Sequence, residues 1–155
     1  MSRLIYALVL VLLISTPSLG QQSLVGTYKL VSLPTIVDGA PIETRGLGSP
    51  HGYFVLTPTH AIQFYTFENR KFGTSVDEKA ALYDTLVAWS GVYRVEGDKI
   101  IYTFDVSWVE HQNGKTFMQN WQLSGNRLTL TSPPIPWPKD PSKTIILRSE
   151  WEKIE

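Results

Sequence analysis

Residues 90–132 read SGVYRVEGDKIIYTFDVSWVEHQNGKTFMQNWQLSGNRLTLTS, and three turn signals inside this stretch predict the pairing of four consecutive strands. Gly97 and Asp98 form a two-residue turn between alternating runs. That turn sets Glu96 opposite Lys99, Val95 opposite Ile100 and Tyr93 opposite Tyr102, with Gly91 leaving room for Phe104. Asn113 and Gly114 carry the strongest short hairpin signal, and a two-residue turn there predicts Glu110 opposite Phe117, Trp108 opposite Gln119, Val106 opposite Trp121 and Phe104 opposite Leu123. Gly125 and Asn126 pair Leu123 with Leu128 and Trp121 with Leu130. Side chains alternate faces with period two, so three independent registers need not agree on one apolar face. Here they do. One face collects Tyr93, Val95, Ile100, Tyr102, Phe104 and Val106, then Trp108, Phe117, Trp121, Leu123, Leu128 and Leu130. The other carries Arg94, Thr103, Asp105, Asn120, Gln122 and Thr129, which makes a sheet with one buried side.

The ends of the chain bound what this sheet belongs to. Arg3, an apolar run over 4–14, and then Ser15, Thr16, Pro17, Ser18 and Gly20 follow the three-part plan of a secretory signal peptide, so residues 1–20 are expected to be removed after Gly20. A membrane-spanning helix needs about 20 apolar residues, and this run is shorter. Export to the periplasm or the extracellular space is therefore expected, with no stable membrane insertion after cleavage. The chain contains no cysteine, which excludes disulfide staples, a lipidated N-terminal cysteine and thiol nucleophiles. Residues 21–155 then form one domain large enough for a single core. Loss of Arg3 from a balance of 14 basic and 14 acidic residues leaves about one negative charge, which argues against nucleic acid as a partner.

The rest of the chain completes a barrel. A first strand over 24–33 puts Leu24, Tyr28 and Leu30 on one parity. Pro34 ends it, and 34–50 reads as a long irregular loop, either a binding lid or a solvated connection. Strands two and three occupy 52–57 and 61–67, with β-formers on both faces, so their inner faces cannot be assigned. Ser75 with Glu78 forms a capping box, and Val76, Ala80, Tyr83 and Val87 make a helical stripe expected to pack on the barrel or cover one end. The run from Pro133 to Pro141 is too rich in proline for a strand, and Trp137 within it either plugs a barrel end or pins the loop. A last strand over 144–153 presents Ile145, Leu147 and Trp151 on one face and closes the sheet on the first. The fold class is all-β: an antiparallel up-and-down barrel of about eight strands with one α-helix between strands three and four. With no free edge, a monomer is expected.

Chemistry is sparse. His51 and His60 lie at opposite ends of one arm, more than ~15 Å apart, and His111 sits in a turn, so no metal site is expected. No nucleophile elbow, phosphate loop or dinucleotide fingerprint is present, and no cofactor is expected. The sharper feature is polar groups whose parity points them inward: Gln119, Glu110, and the neighbouring Tyr93 and Tyr102. Buried polar groups must bond each other, ordered water or a ligand.

Gly26-Thr27-Tyr28-Lys29-Leu30, Gly52-Tyr53 with Thr57-Pro58, the run from Gly91 to Asp98, the run from Leu123 to Leu130, and Trp151-Glu152 together resemble the bacterial and fungal lipocalin-like domain family. The resemblance extends from about Leu24 to the end of the chain and implies a calycin-type barrel around a central cavity that binds small apolar molecules. Family members tend to carry tryptophan where Tyr28 stands, histidine around Tyr102 and Thr103, and arginine around Gln119 and Asn120. These departures replace ionisable groups by neutral ones and point to a neutral, aromatic-rich site. The leading expectation is a secreted barrel that binds a small, largely apolar ligand against Tyr93, Tyr102, Phe104, Trp108, Gln119 and Trp121. One alternative is a non-redox isomerase or cyclase in which Glu110, Tyr93 and Tyr102 move protons. Another is a filled barrel that acts through its surface.

Overall fold

The computed structural model describes residues 19–42, 48–137 and 140–155. Most of the expected signal peptide lies outside these residues, and the expected cleavage point after Gly20 falls within a short helix, α1 (Leu19–Leu24). Eight strands then form a closed antiparallel barrel: β1 (Gly26–Ser32), β4 (Pro50–Leu56), β5 (His60–Phe67), β6 (Val87–Glu96), β7 (Lys99–Ser107), β8 (Thr116–Ser124), β9 (Arg127–Thr131) and β11 (Asp140–Lys153). Closure comes from β11 lying beside β1, with Trp151 opposite Leu30 and Lys153 opposite Tyr28. The helix α2 (Val76–Tyr83) follows the third barrel strand.

Two of the three turn readings in 90–132 hold. Glu96 faces Lys99, Val95 faces Ile100 and Tyr93 faces Tyr102; Leu123 faces Leu128 and Trp121 faces Leu130. Gly97 and Gly125 supply the positive φ, 60° and 59°, that these tight turns demand. The second register is different. Gln119 lies opposite Ile100 and Phe117 opposite Tyr102, so Trp108 and Glu110 have no partners on β8.

The physical reason is a competition that the Asn-Gly signal loses. A bulge at Asp105 pairs Ser90 with Val106 but Gly91 with Phe104, and the extra residue flips parity beyond it. Ser107 turns inward and is buried, while Val106, expected inside, is 63% exposed. The chain continues along β6, where the Trp108 amide donates to the Ala88 carbonyl at 2.9 Å. It then crosses to β8 through a 3-10 turn, Glu110–Gln112. Asn113 serves that crossing by accepting the Ser107 amide on Oδ1 at 2.6 Å instead of making a hairpin. The slip is by an even number of residues, so Phe117, Gln119, Trp121 and Leu123 keep their inward parity.

Three further expectations change. The loop over 34–50 contains a small hairpin, β2 (Thr35–Val37) and β3 (Ala40–Ile42), and β2 pairs with β11. Asp38 (φ 49°) and Gly39 (φ 83°) turn it, and Asp38 Oδ1 accepts the Thr144 amide. In the proline-rich run, β10 (Ile135–Trp137) pairs with β11, and Pro136 sits opposite Thr144 on an outlying strand where its missing donor costs nothing. Trp137 is partly buried under the Lys143 ammonium, 5.8 Å from the ring centre. Helix α2 has its full capping box, yet none of its residues is buried and Val76 is 82% exposed. Two turns give too short an apolar stripe to seat on the barrel, since Val87 belongs to β6. The helix is held at its C-terminal end instead: Arg70 Nη2 donates to the Leu82 carbonyl, and the Tyr83 hydroxyl to that of Trp108.

The core is an aromatic cluster in which Phe54, Tyr28, Tyr102 and Trp151 are fully buried. Gly52 allows its own strand to close on β5, because a Cβ there would overlap the Phe64 carbonyl oxygen and the Tyr65 Cα. Gly52→Ala is expected to cost about 1–3 kcal/mol through forced backbone displacement. An unchanged urea midpoint would show that the strand pair has more slack than this contact implies.

Candidate functional site

The two ends of the barrel differ. Around the β4–β5 turn the interior is closed by α1: Gln21 Nε2 donates to the Pro58 carbonyl at 2.7 Å, and Leu24 is fully buried. The Tyr28 hydroxyl donates to the Leu24 carbonyl and that of Tyr93 to the Thr57 carbonyl, both at 2.8 Å. Burial pushes both phenols up to about 12, with the Tyr28 charge adding to the rise at Tyr93. Tyr102 lies above them with its hydroxyl fully buried and unpartnered among the described residues, held well above the usual tyrosine range by burial and then by Tyr93.

At the other end of β5 the interior opens into a cavity of about 440 Å³. Its apolar wall includes Trp89, Phe104, Phe117 and Phe67, with Trp89 and Phe104 packed edge to face at 4.9 Å between ring centres. Thr35 of β2 and Ile135 of β10 belong to the lining, so the two unexpected short strands help shape it. The polar groups are Gln63, Tyr65 and Gln119 along the strands, Gln112 from the 3-10 turn, and Ser149 from β11. Gln112 Oε1 accepts the Ser107 hydroxyl and Ser149 Oγ accepts the Trp151 indole N–H, so these two are engaged in part. Burial pushes the Tyr65 phenol up to about 12.

Of the residues singled out in the sequence, Phe104 and Gln119 line this cavity; Tyr93, Tyr102, Trp108 and Trp121 do not. Tyr93 and Tyr102 belong to the filled core, and Trp108 packs on Tyr83 outside the barrel. Trp121 donates its indole N–H to the Gly97 carbonyl near the opposite end. Glu110 is exposed on the 3-10 turn and is not part of the lining. The catalytic set of Glu110, Tyr93 and Tyr102 is thus not gathered around the cavity. The expected inward position of Glu110 depended on the Asn113 hairpin that does not form, whereas Tyr93 and Tyr102 do point inward but into the filled core.

Gln63, Tyr65, Trp89 and Phe117 complete the site. The first two escaped the sequence reading because β5 is apolar on its outer face as well, where Ile62 and Phe64 are 41% and 45% exposed. A usable signal was the small pair Gly52 and Ala61, both buried, which marks the inner parity of the hairpin.

An eight-stranded antiparallel barrel, closed at one end by an N-terminal helix and hollow at the other, is the architecture expected of a calycin. Residues 25–154 match the lipocalin-like domain family. The chain belongs to this family. A search of curated proteins gives no match. Within this lipocalin-like barrel, no cluster of three or more metal-ligating side chains occurs among the described residues. His60 stands on the outer surface, its Nδ1 2.8 Å from the Thr59 hydroxyl and its Nε2 3.9 Å from the Asp105 carboxylate.

Proposed function

We propose that this lipocalin-like protein binds a small, largely apolar molecule in the cavity between β2, β5, β8 and β11, and that it does so after export. The reading rests on one observation: a cavity of about 440 Å³, within the usual size range of small-molecule sites, walled by the aromatic side chains of Tyr65, Phe67, Trp89, Phe104 and Phe117 and supplied with a few polar groups. Preformed apolar volume of this kind favours ligands that leave water without reorganising the protein.

The neutral dye N-phenyl-1-naphthylamine is the test. Saturable, one-to-one fluorescence enhancement is expected, with a dissociation constant on the order of micromolar. Leu147→Trp, which narrows the lining at a half-open position, is expected to weaken binding about tenfold without lowering the melting temperature. Native mass spectrometry of protein from its own host should show a co-purifying mass. Absence of saturable dye binding, together with bare protein in repeated preparations, overturns the proposal.

A further inference from the structure

We propose that the cavity selects an uncharged aromatic molecule bearing a carbonyl group, gripped by the side-chain amides of Gln63 and Gln119 and by the hydroxyl of Tyr65. This rests on the binding reading above and names the chemistry of its ligand.

The lining holds no carboxylate, and its one cationic residue, Arg148, points away: it alternates with the inward Ser149 and gives Nη2 to Glu150 Oε1 at 3.0 Å on the outer face. A charged ligand would therefore leave water without meeting a countercharge, which disfavours carboxylates and amines alike.

The side chains of Gln63, Gln119 and Tyr65 make no hydrogen bond to another described residue, although Gln119 is only 9% exposed and all three line the same cavity. Two amides and one phenol offer five N–H or O–H donors and three acceptor oxygens between them. Because burial keeps Tyr65 protonated up to about pH 12, it stays a donor at any physiological pH. A carbonyl oxygen, with two lone pairs and no proton of its own, takes two of those donors and leaves the three side-chain oxygens to pair with the remaining N–H and O–H groups. The aromatic part follows from the walls: Trp89, Phe104 and Phe117 offer ring faces and edges suited to a flat partner.

The discriminating experiment uses three probes of one shape, 2-acetylnaphthalene, 2-naphthoate and 2-ethylnaphthalene, with binding followed by quenching of the intrinsic tryptophan fluorescence of the purified protein. The ketone is expected to bind at least about tenfold more tightly than either the carboxylate or the hydrocarbon. In the double variant Gln63→Leu, Gln119→Leu the ketone should fall to the affinity of the hydrocarbon, while hydrocarbon binding persists and certifies the fold. If the carboxylate or hydrocarbon matches the ketone, or if the variant keeps the ketone preference, polar selection is wrong while the cavity remains a binding site. If none of the three binds, both proposals fall.

Discussion

Phe54→Ala is expected to lower the unfolding free energy by about 3–5 kcal/mol, the usual cost of emptying a buried phenylalanine site. Phe54 is fully buried and its ring stands 5.4 to 6.5 Å from the ring centres of Trp151, Trp89, Tyr102 and Tyr28, so it joins four strands of the barrel. The rigid closed sheet cannot collapse into the space, because its strands are held by ladders on both sides. For a domain of ordinary stability this removes a large share of the total. Urea denaturation followed by tryptophan fluorescence provides the measurement. A loss below about 1 kcal/mol would mean that neighbouring rings refill the site and that the cluster is not the keystone inferred here.

The second large effect is alkaline. Tyr28, Tyr65 and Tyr93 are each pushed up to about 12 by burial, and Tyr102 is pushed up as well. In the unfolded chain these phenols ionise near 10, so above that pH the folded state holds protons that the unfolded state releases. Stability is therefore fully present below pH 10 and is lost as pH rises from 10 through 12. A two-unit shift corresponds to on the order of 2 kcal/mol for each of the three, together a large share of the stability of an ordinary domain. Melting temperatures from pH 8 to 11.5, with tyrosinate absorbance recorded in parallel, should fall steeply above pH 10. Ionisation of Tyr28, Tyr65, Tyr93 and Tyr102 should appear only with unfolding, over and above that of the exposed Tyr53 and Tyr83. Early ionisation of all tyrosines at an unchanged melting temperature would contradict the burial on which the closed end depends.

The meander was legible because its evidence is local. A two-residue turn dictates register, and Gly97 and Gly125 have no competitor for the positive φ they provide. Asn113 and Gly114 carry the same signal, yet there the side chains of Ser107, Gln112 and Asn113 build a different crossing. Nothing local distinguishes the two cases: the decision is made by β6, which keeps hydrogen-bonding the chain as far as Trp108. The capping box of Ser75 and Glu78 was also read correctly from spacing alone. Where that helix lies was not, since its C-terminal end is held by Arg70 and Trp108, residues outside the helix.

The candidate site divides in the same way. Phe104 and Gln119 were recoverable from parity, and Tyr93 and Tyr102 shared that parity but occupy the closed half. Alternation tells which face a side chain joins and says nothing about height along the barrel axis, which depends on strand tilt and on what plugs each end. By itself the sequence determined the antiparallel barrel, its closure of last strand on first, and the family to which it belongs, because hydrophobic period and turn chemistry act over a few residues. Only the tertiary structure decided where the barrel is hollow. That depends on α1 filling one end, on a bulge at Asp105 that flips side-chain parity in β7, and on β2 and β10 folding beside the other, and these are contacts between segments far apart in the chain.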